Sequence, residues 1–250
     1  MVKRGEYMQK IVYVVGIGPG DSRMMTREAW DILTQCEYIV GYTTYVALIR
    51  SLFPQATFVT MGMRKEKERC REALRLAELG HKVALISSGD AGVYGMAGII
   101  RELGVDYPHV TIQGVPGVTV ALSGAALLGA PLVHDTCFIS LSDALTSWEI
   151  IEKRLKYAAM GDFVIVLYNP ASKRRPDYVQ RAYHLIAPYR QQTTPIGIVQ
   201  QVGRIGEKAW IATLKAMETL AVDMFTTIFI GNSQTKVIEG KMVTPRGYSL

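Results

Sequence analysis

The sequence predicts an α/β protein of two α/β domains, with a parallel N-terminal sheet and a mixed C-terminal one. Three observations carry that prediction. Short apolar runs alternate with helical patterns through the first half, and three of those runs end in glycine-rich loops. Late in the chain, strand-like runs follow one another with less helix between them.

The first run, Ile11-Val12-Tyr13-Val14-Val15, is apolar and β-favouring and reads as a buried strand. It enters Gly16-Ile17-Gly18-Pro19-Gly20-Asp21, and Thr26-Arg27-Glu28-Ala29 then opens a helix. In an open α/β sheet, ligands bind just outside the carboxyl ends of the strands, so this loop reads as a ligand wall. Glycines there let the backbone come close, where a Cβ would collide. A Rossmann dinucleotide site fits poorly. Its third glycine would stand where Asp21 does, and Tyr38-Ile39-Val40 ends in Gly41-Tyr42 instead of an acidic residue.

Strand-like runs over 11–15, 38–40, 57–60, 82–86 and 110–112 alternate with helical patterns near 25–35, 43–52, 65–79, 93–103 and 117–128. Gly129-Ala130-Pro131 ends this block. The expected division is therefore an extension over 1–10, an N-terminal domain over 11–130 and a C-terminal domain over 131–250. In the second domain, strands are expected near 136–140, 162–167, 195–199, 208–213 and 226–230, with helices near 147–159 and 177–187.

Composition narrows the function classes. With 20% charged and 49% apolar residues, the chain is globular in character and not disordered. No apolar run reaches a membrane span, and Met1-Val2-Lys3-Arg4-Gly5-Glu6-Tyr7 has no apolar segment behind it to make a secretory signal. Cys36, Cys70 and Cys137 are far apart, odd in number and show no CxxC spacing, so no metal site is expected, and free thiols suit a reducing cytoplasm. Cys70 falls at helical spacing with Ala73, Leu74 and Ala77 and reads as a small core residue. The formal charge of +6 points to an anionic partner. Arg64, Lys65, Lys67, Arg69 and Arg71 are interleaved with Glu66, Glu68 and Glu72, which reads as a solvated helix face. Lys173, Arg174 and Arg175 have no acidic company before Asp177, and guanidinium groups bind carboxylates bidentately. No nucleic-acid recognition motif is present.

Two further glycine-rich strand ends join the first: Ser87-Ser88-Gly89-Asp90-Ala91-Gly92-Val93-Tyr94-Gly95, and Gly114-Val115-Pro116-Gly117-Val118-Thr119. Together the three loops resemble the tetrapyrrole (corrin/porphyrin) methylase family, marked by a GxGPGD loop, an SGDxxxYG turn and a PGxT segment. Further segments are similar to the members that act at C17 of a precorrin. They are Gly41-Tyr42-Thr43-Thr44-Tyr45, Ile139-Ser140-Leu141-Ser142-Asp143, Leu167-Tyr168-Asn169-Pro170 and Val243-Thr244-Pro245-Arg246-Gly247-Tyr248. The resemblance covers roughly residues 10 to 248. It implies two α/β domains with the active site in the cleft between them, a homodimer, and S-adenosylmethionine as cofactor. The implied activity is methyl transfer to C17 of precorrin-3B or cobalt-factor III, with ring contraction, in cobalamin biosynthesis. The alternatives are a family member acting at another ring carbon or on another substrate, and a non-catalytic binder of anionic tetrapyrroles.

By the same resemblance, the cofactor contacts carry over to Pro19, Ser88, Gly89, Asp90, Val93, Thr119, Val120, Asn169 and Val202, or to Gly203 in place of Val202. The sequence departs from the family's pattern at Val120 and Val202. Asp90 is read equally well as an Asx-turn residue. Methyl transfer from a sulfonium needs positioning and exclusion of water more than acid catalysis. Asp21, at the tip of the first loop, and Asp143 are the candidate catalytic or substrate-orienting carboxylates. Asp143 has no evident structural partner in sequence, whereas Thr146-Ser147-Trp148-Glu149 reads as a capping box that occupies Glu149. Lys173, Arg174 and Arg175 are the candidate receivers of substrate carboxylates. Tyr42, Tyr45 and Tyr94 could stack on a macrocycle or simply pack in the core. His134-Asp135 lacks the further histidines of a metal phosphohydrolase and reads as a loop pair.

Overall fold

The computed structural model describes residues 10–172 and 175–249. It divides into two compact units, Met1–Thr119 and Val120–Leu250. The first holds β1 (Ile11–Gly16), α1 (Arg27–Gln35), β2 (Tyr38–Tyr42), α2 (Thr43–Ile49), β3 (Thr57–Met61), α3 (Glu66–Glu78), β4 (Lys82–Ser87), α4 (Ala97–Leu103) and β5 (Thr111–Val115). Its strands form one sheet in the order β3-β2-β4-β1-β5, and every pairing is parallel. The central strands β1 and β4 are apolar on both faces because helices cover both. Val12, Val14, Leu85, Cys70, Leu74 and Ile100 pack on one side. Val15, Ile39, Ile86, Leu33 and Phe53 pack on the other.

The second unit opens with α5 (Val120–Leu128) and continues with β6 (Gly129–Ala130), β7 (Thr136–Ser140), α6 (Trp148–Met160), β8 (Val164–Tyr168) and α7 (Tyr178–Ile186). β9 (Pro195–Gln200), β10 (Lys208–Thr213), β11 (Thr226–Ile230), β12 (Lys236–Ile238) and β13 (Lys241–Val243) complete it. The main sheet has the order β10-β9-β11-β8-β7. β7 and β8 are parallel, whereas β11 runs antiparallel to both its neighbours and β10 antiparallel to β9. The expected mixed sheet is therefore present.

Two expectations are corrected here. The division falls between Thr119 and Val120, not after Ala130. The reason is that α5 packs on the second sheet: a Cβ at Gly124 would lie 2.9 Å from Val199 Cγ2 and 3.1 Å from Phe229 Cζ. Gly129-Ala130 is not a linker but β6, which pairs in parallel with β13 while β12 and β13 form a hairpin. The helix expected from 93 begins only at Ala97, after a turn in which Tyr94 takes a φ of +54°.

Candidate functional site

Because β4, β1 and β5 are neighbours in the first sheet, their three glycine loops emerge side by side at the carboxyl edge. Gly18 and Gly89 each donate a backbone N–H to the other's carbonyl, at 3.1 and 2.7 Å. A Cβ at Gly16 would lie 2.6 Å from the Gly89 oxygen, and one at Gly117 only 2.1 Å from it. No residue but glycine fits those two positions without moving backbone. Gly89 differs: its φ is +67°, while a Cβ there would meet Thr119 Cα at an ordinary 3.6 Å. Ser88, Gly89 and Asp90 are thus brought beside Thr119, 29 positions beyond Asp90, at the ends of the two strands that flank β1.

Asp90 ties the loops together. One carboxyl oxygen accepts from the Gly92 N–H at 2.7 Å, an Asx turn, and the other accepts from the Gly117 N–H at 2.9 Å. The Val93 N–H donates to the Asp90 carbonyl at 3.3 Å. Pro19 follows Gly18 directly, in the first loop.

Asp21 caps a short 3₁₀ turn, Ser22–Met24, and accepts from the Arg23 N–H at 2.8 Å. The Arg23 guanidinium donates to its other oxygen at 2.7 and 3.0 Å. Those hydrogen bonds, the side-chain ones foremost, hold its carboxyl below the usual carboxylate range. The helix beyond is capped by Thr26, whose hydroxyl oxygen accepts from the Ala29 N–H and whose O–H donates to the Pro116 carbonyl.

In the second unit the parallel pair β7 and β8 presents another carboxyl edge. Asn169, just past β8, adopts a left-handed φ of +52° and donates its amide to Ser140 Oγ at 3.0 Å. The Leu141 N–H donates to the Tyr168 carbonyl, which sends the chain past the end of β7. Asp143 follows there, and the structure supplies the partner its sequence lacked. The Tyr178 hydroxyl donates to its Oδ2 at 2.6 Å, and Arg175 Nε stands 3.7 Å from its Oδ1. The Asp143 carboxylate beside it, by hydrogen bond first, pushes the Tyr178 phenol above its ordinary pKa.

Arg175, expected as a receiver of substrate carboxylates, makes its contacts within the chain. Its side chain is 17% exposed and donates to the Leu141 carbonyl at 3.1 Å and to Ser172 Oγ at 3.1 Å. Lys173 and Arg174 lie outside the described residues. Val120 is the first residue of α5, and Val202 is buried in the turn after β9. The neighbouring Gly203 has a φ of +70° and donates its N–H to Glu207 at 2.7 Å.

Elsewhere, Tyr42 and Tyr45 meet edge to face at 5.1 Å, and Tyr94 is half exposed. The cap of α6 is Ser147, not Thr146. Glu149 accepts from its own N–H and from the Ser147 hydroxyl, which lowers its pKa. Arg69 departs from the solvated face expected of its cluster. It is buried, donates to the Gly62 carbonyl at 2.8 Å and pairs with Glu66. Its place one residue before Cys70 on the inward stripe of α3 was the available signal. Tyr178 is the partner of Asp143 that sequence reasoning missed, since the link spans 35 positions. Among the described residues no three His, Cys, Asp or Glu side chains group as a metal site, and no helix is long and apolar enough to cross a membrane.

The tetrapyrrole (corrin/porphyrin) methylase model matches residues 11–218. A probable cobalt-factor III C(17)-methyltransferase of Salmonella typhimurium is 48% identical over 95% of this chain and 99% of its own. A precorrin-3B C(17)-methyltransferase of Sinorhizobium sp is 36% identical, with 97% and 98% covered. The crystal structure of the methyltransferase CobJ superposes with a TM-score of 0.87 at 36% identity, covering 94% of this chain and 99% of that one.

Proposed function

Since the chain belongs to the tetrapyrrole (corrin/porphyrin) methylases, we propose that it transfers a methyl group from S-adenosylmethionine to C17 of precorrin-3B or cobalt-factor III, with ring contraction, in cobalamin biosynthesis. One observation carries the cofactor part. The positions that the resemblance assigns to the cofactor in the first unit converge on strand ends whose backbones are already locked together through Gly18 and Gly89. The ring carbon is supported by whole-length identity to relatives named for that reaction.

The residues present, glycine backbone with the Ser88 and Thr119 hydroxyls and the Asp90 carboxylate, fit a small polar cofactor. Gly89 takes a left-handed φ of +67° and packs with Thr119 on its Cβ side, a backbone that glycine adopts freely. S-adenosylmethionine supplies an electrophilic methyl on a sulfonium, with a neutral thioether as leaving group. The protein's part is then to position and to keep water out. We assign cofactor contact to Pro19, Ser88, Gly89, Asp90, Val93 and Thr119 of the first unit, and to Val120, Asn169 and Val202 of the second. Asp90 also fixes the two loops, since both its oxygens accept from backbone N–H groups. Asp21 and Asp143 are the substrate-side carboxylates, and Lys173 and Arg174 the receivers of substrate carboxylates. A cytoplasmic homodimer is part of the same reading.

The test is twofold. Calorimetric titration with S-adenosylhomocysteine should give about one site per chain with micromolar affinity, on the order of −8 kcal/mol. Anaerobic incubation with each tetrapyrrole should yield the C17-methylated, ring-contracted product from one of them. No heat and no product would overturn the proposal.

A further inference from the structure

Three side chains at the carboxyl edge of β7 and β8 form a layered arrangement. Asp143 is the accessible layer, with its side chain 39% exposed. Behind it, Tyr178 is buried and Arg175 nearly so. Both reach Asp143 from the segment that follows β8, and each is itself held. Tyr178 packs against Trp148 with ring centroids 4.4 Å apart, and Arg181 lies over both rings, at 5.0 and 3.9 Å. Arg175 is anchored to the Leu141 carbonyl and Ser172. The carboxylate is therefore set in one orientation by a phenol donor and a guanidinium, neither of which is exposed enough to receive a large ligand.

The buried phenol donor is satisfied by the carboxylate at 2.6 Å, and the same bond fixes the direction in which Asp143 presents its remaining lone pairs. The phenol hydroxyl could have hydrogen-bonded to water or a carbonyl without fixing an acidic side chain at a strand end, the place where open sheets bind ligands. We propose that Tyr178 and Arg175 are positioning residues that aim Asp143 as the hydrogen-bond acceptor for a donor group, N–H or O–H, of the tetrapyrrole substrate. This rests on the methyltransferase reading given above. It moves Arg175 from the substrate's carboxylates to the orientation of the residue that touches the substrate, and it gives α7 a functional face that its sequence does not advertise.

A double-mutant cycle of Asp143→Asn and Tyr178→Phe tests it, with Tyr178→Phe chosen because it removes one oxygen and keeps the ring against Trp148. Charge-assisted hydrogen bonds and sub-ångström placement both scale to losses of roughly tenfold to a hundredfold. Tyr178→Phe should lower kcat by that much, leave S-adenosylhomocysteine affinity unchanged, and cost nothing further when Asp143 is already Asn. In the alkaline ultraviolet titration, one tyrosine that resists ionisation in the wild type should titrate normally in Asp143→Asn. Additive losses in the cycle, or a Tyr178→Phe enzyme that turns over normally, would overturn the assignment while the wild type's turnover upholds the function. A wild type that methylates neither substrate would overturn the functional reading and this assignment with it.

Discussion

Gly89 and Gly117 share one small volume: a Cβ on Gly117 would lie 2.1 Å from the Gly89 carbonyl oxygen. The loops after β4 and β5 touch backbone to backbone there, and Asp90 closes the same contact from its side chain. The two glycines are required for different reasons, which makes them separable by experiment.

Gly117→Ala must push backbone apart, so its cost should match overpacking, about 1–3 kcal/mol or more. Gly89→Ala has room for its methyl and suffers only from the left-handed φ, at about 1–2 kcal/mol. Urea midpoints of the two variants check the order, with Gly117→Ala the less stable. S-adenosylhomocysteine affinity should fall sharply in a folded Gly89→Val variant. Unchanged affinity there would remove this loop from the cofactor site.

Asp21 allows its structural and chemical roles to be parted. Asparagine caps a helical turn about as well as aspartate, so Asp21→Asn should keep the turn at Ser22–Met24 and the melting temperature. It should lose turnover by roughly 10²–10⁴-fold if the carboxylate serves the substrate. Normal turnover in this variant, beside a dead Asp143→Asn, would leave the substrate-side role to Asp143 alone.

The basic run after β8 divides into two kinds of residue. Lys173→Gln with Arg174→Gln should raise the substrate KM by about 2- to 30-fold, the combined effect of two ion pairs at about 0.2–1 kcal/mol each. Arg175→Gln should instead lower kcat, because Arg175 braces Leu141 and Asp143. Steady-state kinetics at low salt distinguish the two patterns. A rise in KM alone for Arg175→Gln would return it to the substrate's carboxylates.

Burial pushes the Cys36 and Cys70 thiols up to about 12 from an ordinary 9.0, and Cys137 up to about 11. The folded chain thus holds these protons more tightly than the unfolded one. Their contribution to stability is present below about pH 9 and is lost as pH rises through 9 toward 12. Alkylation at pH 8 should be negligible for the native protein and complete in denaturant. Rapid native labelling of Cys70 would contradict its burial in the core.

Much of the fold was legible because its central strands are uninterrupted apolar runs. The expected strands at 208–213 and 226–230 coincide with β10 and β11 to the residue. β12 and β13 were missed because they are three residues each, largely exposed and joined by Glu239-Gly240, so neither burial nor alternation marks them. The domain boundary was misplaced because Gly-Ala-Pro is ordinary turn chemistry, and only tertiary pairing with β13 makes it a strand. In the site, the glycine loops were readable from spacing along the chain. The Asp143–Tyr178 hydrogen bond was not, since a pair 35 positions apart leaves no local pattern. Arg69 was misread because charge alternation along α3 concealed that one of its basic residues lies on the apolar stripe.

The strand order of the second unit has a consequence for how the chain is made. The first sheet is complete once Val115 has left the ribosome, because β5, its last strand, adds to an edge. The second sheet receives a central strand late: β11 must enter between β8 and β9, and β6 waits for β13. Until Ile230 is synthesised, β8 and β9 each present an unpaired, largely apolar strand edge. Translation speed and chaperone supply over that late stretch, more than the stability of the finished protein, should therefore govern the yield of soluble enzyme.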